Sequence, residues 1–490
     1  MRLTFKGLDR TPDPAFGDSL LGAVEHHDGG KMILGGINQL YLMGTDNDPA
    51  YAILPAGHYR IYATRGPEFS LEQAELNVVV GNDAVLEIAS PVRAVATPGF
   101  ISADFHVHSG PSFDTVMPPA ARVATFVAEG AEVLVATEHE TIFDFQDVIN
   151  RLGVADRVAT ITGSEITGEV QTDRTPYTLG HANAFPLEVQ PFAFRRGAFA
   201  NENRRWREVI DDLRARDAVA VIQLNHARRD DRFAPDGDAW DEDWTGDRGS
   251  FLDHLGVGHS FNAGIPITEA GNARLVERDS VTGTRDIDFD AMEILNGSAK
   301  EAETALRRDW LSLIAQGFRL TGTANSDSHT VWEQVGMPRN MVAVADDTIQ
   351  GFAATEIADA VREGRLYGTT GPLLNVSLNG SGASASMGDT ISGAQATLRV
   401  RVAAADWVDV SSLNVVVNGE IVLTVPITRD ELFEVQLSFE KDSFVIVEVS
   451  GEAGADYQAV YPKLRPYAFS NPIYVDANSD GIWTAPGLGG

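Results

Sequence analysis

The chain has 490 residues, no cysteine, 43% apolar residues and a formal net charge of −32. That length supports about two to four domains with real cores. The missing cysteine excludes disulfides and thiolate metal ligands, and the acidity argues against a nucleic-acid-binding surface, which needs clustered Lys and Arg.

No stretch reaches the roughly 18 unbroken apolar residues of a membrane helix. The opening MRLTFKGLDRTPDPAFG lacks the apolar core of a signal peptide. A soluble chain without a membrane partner is expected.

Residues 1–98 read as a β-sandwich-like domain. NQLYLMG, GHYRIYATRG, LNVVVG and AVLEIA are short β-branched, aromatic and apolar runs bounded by Gly, Asn and Pro. Its His26, His27 and His58 have no ligand-like companions and read as surface or structural residues.

Residues 99–370 change texture. FISADFHVH, EVLVATEH, VATITGSEI, GHANAF, AVAVIQLNH, DAMEILNG and RLTGTANSDSH make seven strand candidates. Helical stretches such as PPAARVATFVAEGA, ENRRWREVIDDLRARD and AETALRRDWLSLIAQG stand between them. This alternation predicts an α/β fold with a parallel sheet, here a (β/α) barrel. Residues 227–287 lack clear periodicity and read as an insertion of the lid or binding-loop kind. From 371 to 490 alternating apolar runs with Asn-Gly turns predict a second β-sandwich.

Six of the 11 histidines fall at or just after predicted strand ends: His106, His108, His139, His181, His226 and His329. Asp114, Glu138, Glu165 and Asp327 share those places. In a parallel barrel the strand ends converge on one face, so residues far apart in sequence can meet in one pocket. Alternate residues of a strand face one side, which lets His106 and His108 grip the same ion. Buried imidazoles and carboxylates in such number are what divalent metals stabilise. Two or three ions are expected, with Zn, Mn and Fe all compatible.

DFHVHS, TEH, GSE, GHANAF, LNHAR and SDSH, in this order, resemble the metal-binding motifs of the polymerase-and-histidinol-phosphatase (PHP) superfamily. ATRGPEFS and SADFHVHSGPSFD resemble more narrowly its CehA/McbA branch, which includes a carbaryl hydrolase. The resemblance covers roughly residues 55–370. It implies a distorted seven-stranded (β/α) barrel holding up to three metals. It also implies three ligand groups. His106, His108, Glu165 and Asp327 hold the first metal, and Glu165 bridges to a second completed by His181 and His226. His139, His329 and Asp114 hold a third. Glu138, Asp104, Glu293 and Asn296 are read as supporting residues.

The expected chemistry is hydrolysis by metal-bound hydroxide, with Glu165 and Asp327 at its centre. No G-x-S-x-G nucleophile elbow is present. Arg228, two residues after His226, is the first candidate to bind an anionic substrate, ahead of Arg229, Arg174 and Lys300. His254, His259, Trp240 and Trp244 of the insertion are candidates to reach over the site. Asp476, Asn478 and Asp480 in DANSDG are spaced like the start of a calcium loop, without the glutamate that closes an EF-hand.

Three functions stay open. The first is a phosphoesterase acting on mono- or diesters, with small-molecule and promiscuous substrates. The second is a carboxyl-ester or carbamate hydrolase, and the third a non-catalytic metal-bearing module. Export is consistent with the absent cysteine, the acidity, the flanking β domains and the resemblance.

Overall fold

The computed structural model describes residues 1–17, 26–28, 31–43, 51–168, 180–228, 261–298, 300–380 and 382–488. It is a mixed α/β molecule, mostly sheet. Among the described residues no helix is long and apolar enough to cross a membrane.

The N-terminal strands are β1 (Arg2–Leu8), β2 (His26–Asp28), β3 (Lys31–Gly35), β4 (Gln39–Met43), β5 (Gly57–Thr64) and β6 (Glu72–Val78). They form one antiparallel sheet in the order β2-β3-β4-β1-β5-β6. Leu3, Phe5, Tyr59 and Ile61 alternate onto its buried side, as the period of two requires. A second facing sheet does not form among the described residues of 1–98. Instead Leu54, Leu86 and Ile88 from outside the strands pack on that side, while Tyr41 and Met43 of β4 point to the opposite face and pack under helix α1 (Pro119–Ala128). AVLEIA makes no strand, and Val85 within it is exposed.

The central strands are β7 (Phe100–Asp104), β8 (Val133–Val135), β9 (Ala159–Ile161), β10 (Ser164–Gly168), β11 (Gly180–Phe185), β12 (Val221–Leu224), β13 (Ala291–Asn296) and β14 (Thr321–Asn325). Every strand candidate appears, the third one split into β9 and β10. Helices α2 (Gln146–Leu152), α3 (Trp206–Arg216) and α4 (Lys300–Ala315) lie between them. α1 starts at Pro119, which fits a first turn where an N–H is dispensable. It buries Val123, Phe126 and Val127 at helical spacing.

The pairing is parallel for β7–β8, β8–β9, β12–β13 and β13–β14. It is antiparallel for β10–β11 and β11–β12, against the all-parallel expectation. Residues 169–179 are too few for the crossover of a dozen or more residues that a parallel return needs. The inversion of β11 has a useful result: its N-terminal end, with His181, lies at the rim where the other strands end. No continuous ladder closes these strands into a barrel among the described residues. Single parallel bridges, Val107 to Ser328 and His139 to Glu165, span the gaps. The amide of Asp327 donates to the carbonyl of His106 at 2.9 Å across the first gap.

Beyond them come β15 (Arg339–Ala343), α5 (Ala354–Glu363) and β16 (Leu366–Thr369). The C-terminal strands are β17 (Leu373–Asn379), β18 (Ser384–Ala385), β19 (Thr390–Ser392), β20 (Gln395–Ala403), β21 (Ser412–Val417), β22 (Glu420–Pro426), β23 (Leu432–Ser438), β24 (Ser443–Ser450), β25 (Tyr467–Ser470) and β26 (Ile473–Asp476), with helix α6 (Ala455–Val460) before β25. One layer, β18-β17-β20-β23, faces a second that contains β24, β25 and β26. Val376, Leu398 and Val400 meet Leu413, Val415 and Val447 between them, which is sandwich packing. The second layer continues through β25–β16, β16–β15 and β15–β7, so one sheet runs across residue 370 into the ligand-bearing strands.

Candidate metal centre

His106 and His108 follow β7, His139 follows β8, and Glu165 is the second residue of β10. His181 opens β11, His226 follows β12, and Asp327 and His329 follow β14. Strand ends thus deliver all eight to one rim, and the loop after His108 adds Asp114.

Their ligand atoms fall into four overlapping groups, each within 4.8 Å: His106, His108 and Glu165; His139, Glu165 and His181; His106, His226 and Asp327; and His108, Asp114, His139 and His329. Asp327 Oδ1 lies 3.1 Å from His106 Nε2 and 3.2 Å from His108 Nε2, which completes the first expected set. The expected third set, His139, His329 and Asp114, is also together. Asp114 Oδ2 stands 3.1 Å from His139 Nε2 and 2.9 Å from His329 Nε2. The second set differs from expectation: His226 groups with His106 and Asp327, while His181 groups with Glu165 and His139. Glu165 Oε1 nevertheless reaches both, at 3.2 Å from His181 Nδ1 and 3.5 Å from His226 Nε2.

The surrounding hydrogen bonds select the ring nitrogens that face the centre. Glu293 Oε1 lies 3.1 Å from His106 Nδ1, which leaves Nε2 toward the cluster. Ser112 Oγ does the same for His108 Nδ1 at 3.0 Å, and donates in turn to Glu138 Oε2 at 2.6 Å. The carbonyl of Asp327 holds His329 Nδ1 at 2.8 Å. Asn225 donates to Glu165 Oε1 at 2.8 Å, and Asn296 to Asp327 Oδ2 at 3.1 Å.

A metal fits this donor set. His106 Nε2, His108 Nε2 and Glu165 Oε2 are buried and make no hydrogen bond of good geometry. Buried polar atoms in that condition are costly, and all three belong to the groups within ligation distance of one another.

Charge balance points the same way. Burial alone would raise the Glu165 carboxyl, but the imidazoles of His139, His106 and His181 hold it well below the usual carboxylate range. Burial also opposes Asp327, and His106 and His329 likewise hold it down. Burial and the neighbouring His329 push His108 down to about 4, so it is neutral and ready to ligate at pH 7. Burial lowers His329 too, but Asp327 and Asp114 outweigh it and carry the imidazole up to about 9.

Neither a scan against protein-family models nor a search of the curated proteins finds a match.

Several expected residues take other places. Arg228 is buried and engaged by Asp309 of α4, with Nε–Oδ2 2.5 Å and Nη2–Oδ1 2.8 Å, and also donates to the Phe261 carbonyl. This ion pair braces α4, and Arg228 Nη1 is buried without a hydrogen-bond partner among the described residues. Asp104 orients no imidazole. It accepts backbone N–H groups of His106, Ser326 and Gly336, and burial pushes its pKa up to about 6. Glu138 is a support as expected, bound to the Ser109 amide at 2.8 Å and to Ser112.

Asp476, Asn478 and Asp480, spaced like the start of a calcium loop, form a hydrogen-bonded polar turn at the end of β26. The Asp476 carboxylate accepts the amides of Asp480 and Gly481 and the Ser392 hydroxyl. His58 pairs with Asp9 at 2.8 Å in the N-terminal sheet. Lys300 is the first residue of α4. Arg174, Arg229, Trp240, Trp244, His254 and His259 lie outside the described residues. The described end of the insertion is packed core, with Phe261, Ile267 and Leu275 buried.

Sequence reading passed over Asn225 and Asn325, which donate to Glu165 and Glu293. Their only signal was an amide next to a ligand motif.

Proposed function

We propose that the chain is a metal-dependent hydrolase of the PHP kind, and first a phosphoesterase. One observation carries this: six histidines and three carboxylates from six strands and one loop lie in overlapping groups within 4.8 Å, with buried Nε2 atoms left for an ion. On this reading the central strands and their two bridges are the distorted seven-stranded barrel of that superfamily.

When bound, two or three divalent ions would supply Lewis acidity and a water acidified into the neutral range. His106, His108, Glu165 and Asp327 would hold one ion and His139, His329 and Asp114 another, with His226 able to join His106 and Asp327, and His181 able to join Glu165 and His139. The protein's own part is orientation. Glu293 fixes the His106 ring and, through the His226 amide at 2.7 Å, the backbone that presents a second ligand. Asn296 occupies Asp327 Oδ2 and leaves Oδ1 toward His106 and His108, while Asn225 donates to Glu165 Oε1, which also faces His181 and His226. Ion positions spread over three groups suit phosphoryl transfer, where both the attacking and the leaving oxygen need support.

A carboxyl-ester or carbamate hydrolase is the second reading. The Arg228–Asp309 pair favours keeping it, because the arginine expected to favour phosphate is engaged elsewhere. Rates on bis(p-nitrophenyl) phosphate and p-nitrophenyl acetate decide between them. With metal-loaded protein, catalytic efficiency should be higher on the phosphodiester and should fall at least a hundredfold in Asp327→Ala. A higher, Asp327-dependent rate on the acetate would establish the second reading. Activity on neither would turn attention to a metal-bearing binding module.

A further inference from the structure

One exposed side chain at the centre is not used by the ligand set. Phe113 is 69% exposed, yet its ring stacks on His139 with centroids 4.6 Å apart and planes at 29°. His139 stacks on His108 at 4.6 Å, and His108 on His329 at 4.2 Å. The phenyl ring is therefore one end of a run of stacked rings whose other members are candidate ligands. A single exposed apolar residue is ordinary on a protein surface. This one is held in place. Ser109 and Ser112 are tied to Glu138, the Gly110 amide donates to the Met117 carbonyl at 2.6 Å, and Thr115 Oγ1 donates to the His329 carbonyl. The next residue, Asp114, is itself a candidate ligand, and Val116 of the same loop is also exposed.

We infer that Phe113 is a specificity-determining residue: a rigid aromatic shelf that receives the aryl group of a substrate whose oxygen binds at His139, His329 and Asp114. This rests on the hydrolase reading above. Ring stacking is worth a modest factor, so the shelf sets preference among substrates and leaves the chemical step alone.

The test is binding, not turnover. Zinc-loaded full-length protein is titrated calorimetrically with phenylphosphonate and with methylphosphonate. Wild type should prefer the phenyl ligand by about tenfold. Phe113→Ala should lose that preference with methylphosphonate affinity and zinc content unchanged, and Phe113→Trp should restore it. An aryl preference that survives in Phe113→Ala, or that wild type never shows, overturns the shelf and leaves the metal centre standing. If neither phosphonate binds, benzoate and acetate replace them. A Phe113-dependent preference for benzoate would keep the shelf and overturn the phosphoester reading, whereas no binding of any of the four overturns both.

Discussion

His329 sets two carboxylates around one imidazole. Its Nε2 faces Asp114 at 2.9 Å, and Asp327 supplies a carbonyl to Nδ1 and a carboxylate at 3.6 Å. In metal-free protein its pKa stands at about 9, above the roughly 6.5 of an unfolded histidine. The folded state therefore holds the proton more tightly. The stabilisation is complete below about pH 6.5 and is lost as pH rises through about 9. Asp114, Glu165 and Asp327 have the opposite sign, because their carboxyls are held down and their contribution is lost in acid. The melting temperature of metal-free wild type should exceed that of His329→Gln most near pH 6, and the gap should shrink by pH 9.5. A gap constant with pH would mean that His329 carries no extra proton. At this scale the sequence was legible for which histidines and carboxylates come together, because the motifs set them at or near strand ends. It was not legible for Arg228. That arginine meets Asp309, 81 residues away, and nothing local to LNHAR announces the partner.

Two ligand-bearing turns are strained in a way that belongs to the element. His226 has φ +25° and Asp327 φ +48°, both in the left-handed region that suits glycine better. Each follows the end of a strand, where the chain must bend sharply to aim a side chain back over the rim. The strain measures how firmly the neighbouring strands and Glu293 impose the bend. His226→Gly should therefore be more stable than His226→Ala in metal-free protein by about 1 kcal/mol, the reverse of the usual order. Urea unfolding of the two variants checks this, and equal midpoints would mean the turn relaxes without cost. In the central region strand existence was readable from the apolar runs, but direction was not. GHANAF looks like any other short strand, and its inversion depends on how few residues separate it from β10. The N-terminal segment shows a related limit. Its alternation marks an apolar face correctly, but alternation does not say that loop residues such as Leu86 and Ile88 cover that face while α1 covers the other.

Across the whole molecule, β1 and the segment after α6 converge on the end of α1. Arg2 of β1 is fully buried, with Nε 2.7 Å from Glu129 Oε1 just beyond α1. Tyr461, beyond α6, donates to Glu129 Oε2 at 3.1 Å, and the Arg2 guanidinium lies 5.0 Å from its ring centroid. From α1, Arg122 donates to the carbonyls of His108 and Ser328, each at 2.8 Å, on the two segments that carry ligands. A buried charge pair adds little net stability over apolar residues, but removing one partner strands the other charge. Arg2→Ala should thus cost roughly 3–5 kcal/mol. The double variant Arg2→Met, Glu129→Met should recover most of that loss, because no charge is then left buried. Chemical denaturation of the two variants separates the cases. If the single and double variants unfold together, the pair is solvated and the three regions are held by apolar packing alone. If only the single variant collapses and its zinc content falls with it, the charge pair transmits the fold of both flanking regions through α1 to the ligands.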